Sequence, residues 1–154
     1  MSGNAPEIDL PHLPSARVAI ISSSWHLDIC NDLIAGAERA LTDAWIGKVE
    51  VIYVPGSFEI PLAAQIAFEK GFDAVVALGL VLEGETPHFD YVCQGVTQGV
   101  MDVSLKFSSP IGFGVLMCNT LDQAIARSGR PGSSEDKGYD SAVAAIKLLQ
   151  LKEG

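Results

Sequence analysis

Basic residues, aromatics and paired cysteines are all scarce in this chain, and their scarcity narrows what it can do. Ten Lys and Arg stand against nineteen Asp and Glu in 154 residues, a net charge of −9. A phosphate backbone is bound through a basic footprint, so no nucleic-acid partner is expected. No apolar run approaches the roughly 18–20 residues of a spanning helix, so no membrane crossing is expected. The opening Met1-Ser2-Gly3-Asn4-Ala5-Pro6 has no Lys or Arg and leads into no apolar stretch, unlike a secretory signal. Cys30, Cys93 and Cys118 show neither CxxC nor ligand-like spacing. An odd count without a leader reads as reduced, buried thiols in a cytoplasmic protein. No His, Asp or Glu cluster has metal spacing, so no metal site is expected.

Apolar residues are plentiful instead. They make up 48% of the chain and the mean hydropathy is +0.28, rich for a monomer of this size, since a small protein has much surface to cover with polar groups. With no membrane segment to absorb them, they point to a homo-oligomer. The length fits one domain. The first fifteen residues, which hold three of the eight prolines, read as an N-terminal arm before a domain over residues 16–154.

Four Val-, Ile- and Leu-rich runs punctuate the sequence: Arg17–Ser22, Val49–Val54, Ala74–Leu82 and Ile111–Cys118. None alternates cleanly with polar residues, the pattern of strands buried on both faces. Helical periodicity fills the gaps. Ile29, Leu33, Ala37 and Leu41 fall four apart between Asp28 and Asp43. An Ala-rich stretch from Phe58 to Lys70 is closed by Gly71, a favourable residue just past a helix end. Phe89, Val92, Val96, Val100 and Val103 form a stripe after Pro87. Thr120 and Gln123 have capping-box spacing, and a last helix is expected from about Lys137 to Lys152 with Val143, Ile146 and Leu149 inward. Alternating β and α implies a parallel sheet with right-handed crossovers and helices on both faces. On such sheets ligands bind beyond the carboxyl ends of the strands.

Four loops reach that edge: Ser23–His26, Pro55–Glu59, Glu83–His88 and Asn119-Thr120. The third carries most chemistry. Thr86 is placed to cap a helix and Pro87 to begin it, which puts His88 on its first turn. Unpaired amides at that end form an anion site, and the helix dipole favours a neutral imidazole able to accept a proton. Thr-Pro also starts helices that carry no site. Trp25 either stacks on a flat ligand or plugs the core. Glu59, expected in the first turn of its helix, either binds a ligand or only complements the helix dipole. His12 and His26 read as solvated side chains. The cations that could complete an anion site are Arg127, Arg130 and Lys137, because the preceding helix is too short to carry the chain back across the sheet. Cys118 reads as a buried thiol, with no base in sequence reach to make it a nucleophile.

Taken together, these residues resemble the lumazine synthases over about Val18 to Leu149. The similarity rests on Pro55-Gly56-Ser57-Phe58-Glu59-Ile60-Pro61, on Gly84-Glu85-Thr86-Pro87-His88-Phe89-Asp90-Tyr91, on Phe113-Gly114-Val115-Leu116, and on Gln123-Ala124 with Arg127-Ser128-Gly129 and Lys137-Gly138. Ser23-Ser24-Trp25-His26, Thr86 through Cys93 and Glu135-Asp136-Lys137-Gly138 are closest to the actinobacterial branch.

The resemblance implies a three-layer α/β sandwich on a four-stranded parallel, flavodoxin-like sheet in order 2-1-3-4. It implies a cofactor-free condensation of 5-amino-6-(D-ribitylamino)uracil with 3,4-dihydroxy-2-butanone 4-phosphate, losing phosphate and water, as the penultimate step of riboflavin biosynthesis. By motif, Trp25 stacks on the pyrimidine, Glu59 bonds the ribityl chain with backbone from Ser57 and Phe58, and Leu80, Val81 and Leu82 present backbone to the ring. His88 moves the proton. Gly84, Glu85 and Thr86 hold phosphate with Arg127. Phe113 and Lys137 help bind the ribitylaminouracil, and Arg127, Phe113 and Lys137 arrive from a neighbouring subunit of a pentamer.

Three features depart from the family pattern. Glu83 stands where Arg or Lys is frequent, Met117-Cys118 replaces a pair that is usually Thr-Thr, and Arg130–Asp136 is about two residues longer than the turn of capsid-forming members. The longer segment favours a free pentamer over a sixty-subunit shell. A second reading of the same fold is a catalytically weak scaffold that binds ribityl-pyrimidines or flavin. A receiver domain is disfavoured, since Ser22-Ser23-Ser24 stands where such a domain needs an acidic cluster.

Overall fold

The computed structural model describes residues 8–154. Its elements run β1 (Arg17–Ser23), α1 (Leu27–Asp43), β2 (Lys48–Val54), a 3₁₀ turn (Ser57–Glu59), α2 (Ile60–Glu69), β3 (Ala74–Leu82), α3 (His88–Phe107), β4 (Ile111–Cys118), α4 (Leu121–Arg127) and α5 (Lys137–Glu153). The sheet is parallel in the order β2-β1-β3-β4. The four strands therefore lie where the apolar runs placed them, to within one residue.

Alternation along the strands divides the interior into two cores. Val18, Ile20, Val76, Leu78 and Leu116 face α1 and α5, with Leu33, Leu41 and Ile146. Ala19, Ile21, Val75, Ala77 and Val115 face α2 and α3, with Ile60, Phe68 and Val96. The molecule is a three-layer sandwich. The central strands β1 and β3 are buried on both faces. β2 is not: it is an edge strand, with Val49 39% and Tyr53 52% exposed. An apolar run alone does not distinguish a central strand from an edge one.

Helix ends follow local chemistry in most places. Gly71 lies just past α2 at φ 91, in the left-handed region that costs glycine little. Thr120 and Gln123 form the capping box of α4, and the Asp136 side chain accepts from the Tyr139 amide at α5. Two expectations need correction. Thr86 does not cap α3. Pro87 holds the N-cap position without a side-chain bond, and the first turn closes from the Asp90 amide to the Pro87 carbonyl at 3.0 Å. Glu59 belongs to the 3₁₀ turn before α2, not to that helix's first turn, because Pro61, lacking an amide hydrogen, fits the first helical turn just beyond it.

The arm expected over residues 1–15 lies partly outside the described residues. Within the described part, Leu13 is buried and its amide donates to the Ala44 carbonyl at 2.8 Å. His12 is not simply solvated: its ring stacks on Trp45 at 3.9 Å between centroids, 5° from parallel. Of the cysteines, Cys30 and Cys118 are buried and Cys93 only partly so.

Candidate active site

The carboxyl ends of β1, β2 and β3 open into a cleft of about 520 Å³ roofed by the start of α3. Trp25, Ser57, Phe58, Glu59, Leu80, Val81, Leu82 and His88 all line it. Eight residues drawn from four segments of the sequence thus meet in one concavity.

Close backbone approach builds the walls. A methyl group placed on Gly56 would stand 3.3 Å from Glu59 Oε1 and 3.5 Å from Trp25 Nε1, so the carboxylate and the indole converge over that glycine. A methyl on Gly95 would come within 2.6 Å of Phe58 Cε1, which shows the Phe58 ring lying directly on the α3 backbone. Ser24 ties two of the loops together, its hydroxyl donating to the Val54 carbonyl at 2.8 Å. At the floor, Ser57 is buried and its hydroxyl has no protein partner.

The lining is unusually open to solvent for its chemistry. Trp25 is 67%, Phe58 61% and Tyr91 68% exposed, so aromatic faces left open among the described residues stand beside a histidine and a carboxylate. Trp25 is therefore no core plug. His26, just before α1, has a left-handed backbone at φ 55 and also lines the cleft. Such a conformation in a non-glycine residue costs on the order of 1–3 kcal/mol and concentrates at functional sites. Four lining residues, His26, Gly56, Tyr91 and Val92, were not singled out as site residues from the sequence. Tyr91 and Val92 stand three and four positions after His88, and that helical spacing was a legible signal.

Other expected site residues lie outside this cleft in a single chain. Gly84, Glu85 and Thr86 are exposed on the loop before α3, and a methyl on Gly84 would touch nothing within 4 Å. Phe113, 40% exposed, lines a separate apolar groove of about 510 Å³ with Met101, Leu105, Leu148 and Leu151. Arg127 ends α4, with its Nη1 donating to the Gln123 carbonyl at 2.9 Å. Its Nε lies 3.5 Å from Glu135 Oε2, and Lys137 Nζ lies 3.0 Å from Glu135 Oε1. Arg130 is committed elsewhere, to Asp28 and Asp32 near the start of α1.

Titration sorts the remaining candidates. Burial pushes the Cys118 thiol up despite the nearby Arg127 charge, and burial does the same to Cys30. Neither is poised as a nucleophile. Among the described residues no group of three or more His, Cys, Asp or Glu is placed to hold a metal, and no helix is long and apolar enough to cross a membrane.

Comparison with known proteins gives the fold and cleft a family. The profile of 6,7-dimethyl-8-ribityllumazine synthase matches residues 15–153. The chain belongs to this family. A 6,7-dimethyl-8-ribityllumazine synthase of Streptomyces coelicolor is 50% identical over 147 residues, covering 95% of this chain and 91% of the relative. One from Pseudarthrobacter chlorophenolicus is 52% identical over 152 residues, covering 95% and 94%, and one from Kocuria rhizophila is 50% identical, covering 95% of each. These relatives are actinobacterial, in keeping with the motifs around Trp25, His88 and Lys137.

Proposed function

We propose that the chain is a transferase that condenses 5-amino-6-(D-ribitylamino)uracil with 3,4-dihydroxy-2-butanone 4-phosphate to 6,7-dimethyl-8-ribityllumazine, releasing phosphate and water. One observation supports the assignment of the site: eight of the residues that family motifs associate with the reaction, Trp25, Ser57, Phe58, Glu59, Leu80, Val81, Leu82 and His88, line a single cleft at the carboxyl edge. Trp25 is free to stack on the pyrimidine, while Glu59 stands beside it to accept from ribityl hydroxyls. The end of β3 at Leu80, Val81 and Leu82 lines the cleft and offers backbone groups to the ring.

Joining an amine to a ketone expels water and requires protons to move at adjacent atoms. His88, at the mouth of the cleft on the first turn of α3, is the group suited to that transfer. Much of the acceleration comes from holding the two substrates together, because positioning converts a bimolecular step into an effectively unimolecular one. No cofactor enters this scheme. Phosphate is received by Gly84, Glu85 and Thr86 at the amino end of α3, where free amides and the dipole favour an anion.

The missing cation and the uncovered aromatics support an assembly. In this reading Phe113, Arg127 and Lys137 of one subunit complete the cleft of the next, in a cytoplasmic homopentamer built from single domains spanning residues 16–154. The exposed apolar groove around Leu105 and Leu151 is the kind of surface such an assembly covers.

The test is to mix the purified protein with both substrates and follow lumazine absorbance and phosphate release. Formation of both above the uncatalysed background is the expected result. Binding of the pyrimidine without turnover would instead establish the weak scaffold.

A further inference from the structure

Two of the cations assigned to substrate converge on one carboxylate in their own subunit. Glu135 Oε2 lies 3.5 Å from Arg127 Nε, and its Oε1 lies 3.0 Å from Lys137 Nζ. The Glu135 side chain is only 18% exposed. Its backbone is pinned on both sides: the Glu135 amide donates to the Ala126 carbonyl at 3.0 Å, and its carbonyl accepts from the Gly129 amide at 3.1 Å. An antiparallel bridge between Ser128 and Asp136 adjoins this pair. The backbone carrying the carboxylate is therefore fixed relative to the end of α4 and the start of α5, and the carboxylate meets the two cations as ion pairs, its buried Oε1 making no hydrogen bond.

The other acidic groups nearby do not duplicate this. Asp136 is committed to Arg39 at 2.6 Å, and Asp140 reaches only Lys137, at 3.9 Å. Among the described residues, Glu135 is the acidic group that pairs with both cations. The contacts also leave binding capacity. Arg127 meets Glu135 through Nε and the Gln123 carbonyl through Nη1, and neither contact uses Nη2. Long, flexible cations gain most from being held before the ligand arrives.

We propose that Glu135 is a positioning residue that orients Arg127 and Lys137 together, so that one carboxylate sets the groups receiving the phosphate of one substrate and the pyrimidine of the other. This rests on the roles read above for Arg127 and Lys137. Its signature is a coupled defect. Loss of the charge at Glu135 weakens both substrates, whereas loss of either cation weakens one.

Steady-state kinetics on the full chain test it with Glu135→Gln, Arg127→Ala, Lys137→Ala and the double variant of Glu135→Gln with Arg127→Ala. Glu135→Gln is expected to raise KM for both substrates about five- to twentyfold, with kcat falling less than about threefold. In the Arg127→Ala background it should add nothing further to KM for the phosphorylated substrate. A purely structural role would lower Tm and the active fraction while leaving both KM values in place. Should Glu135→Gln fold poorly, Glu135→Asp, which keeps the charge but withdraws the carboxylate by one methylene, should raise KM for both substrates in the same direction. Wild-type KM values in Glu135→Gln, or in Glu135→Asp, overturn the proposal while Arg127→Ala and Lys137→Ala each impair their own substrate. If those two alanine variants are also silent, the roles of the cations fall as well.

Discussion

Arg130 grips Asp32 with two nitrogens, Nε and Nη2, each 2.8 Å from the same Oδ2. This fork ties the loop between α4 and α5 to α1, and it removes Arg130 from the cations open to a ligand. Arg127→Ala should therefore raise KM for the phosphorylated substrate at least about tenfold more than for the pyrimidine, the loss expected for a charge-assisted contact. Arg130→Ala should leave both KM values near wild type and cost up to about 1 kcal/mol of stability, the range of partly exposed ion pairs. Equal effects of Arg127→Ala on the two substrates would show that the phosphate is held elsewhere.

His88→Ala should slow turnover by roughly ten to several hundredfold, because proton transfer is only part of the acceleration and positioning supplies the rest. Single-turnover measurement of lumazine formation separates this loss from product release. A wild-type rate would remove His88 from the chemistry.

Gly138 sits in the first turn of α5 where that helix crosses α1. A methyl there would collide with the Leu33 carbonyl, a backbone atom that cannot swing aside. Gly138→Ala should cost about 1–3 kcal/mol, the range for overpacking. Urea unfolding reads this directly, and an unchanged midpoint would mean that the two helices can separate freely.

Burial raises the Asp140 carboxyl above its ordinary value of 3.8, opposed by Lys137 and reinforced by Asp136 and Glu135. A carboxyl raised in the folded state binds its proton more tightly there than when unfolded. Its stabilising contribution is present below the unfolded value and is lost as pH rises through the folded one. At neutral pH the charged group therefore works against folding, so Asp140→Asn should raise Tm there. The gain should shrink as pH falls through the raised folded value and vanish below the unfolded one of 3.8. A Tm difference independent of pH would assign the effect to something other than this ionisation.

The groove holding Phe113 exposes Leu105 and Leu151, at 71% and 76%, on neighbouring helix ends. If this surface is covered in the assembly, Leu105→Asp or Leu151→Asp should shift sedimentation from a pentamer of the 16.3 kDa chain toward smaller species. Activity should fall with the shift, since the cleft would lose its neighbour. Light scattering of the unaltered protein should give the pentamer, and megadalton particles would contradict the reading of the longer Arg130–Asp136 segment.

Much of this was legible along the chain. β3 and β4 have the bounds their apolar runs gave them, and Thr120 caps α4 as its spacing to Gln123 suggested. Runs of β-branched residues and capping pairs are local signals, set by backbone sterics and by hydrogen bonds a few residues long. Thr86 misled because the same local rule names a residue type suited to a cap without fixing where the first turn closes, and here it closes on Pro87. The family motifs singled out Trp25, Glu59 and His88, but not His26, which lines the same cleft from an uncommon backbone conformation.

What the sequence determined by itself was the order of the elements, the face that α1, α3 and α5 bury and the loops delivered to the carboxyl edge, because periodicity and capping act within a few residues. Tertiary structure alone decided which of those side chains share a cavity. It turned Trp25 outward, consumed Arg130 in a fork to Asp32, and set Glu135 between Arg127 and Lys137. Those outcomes depend on contacts between residues far apart in the chain or across a folded turn. The geometry of such contacts exists only once the helices have packed on the sheet.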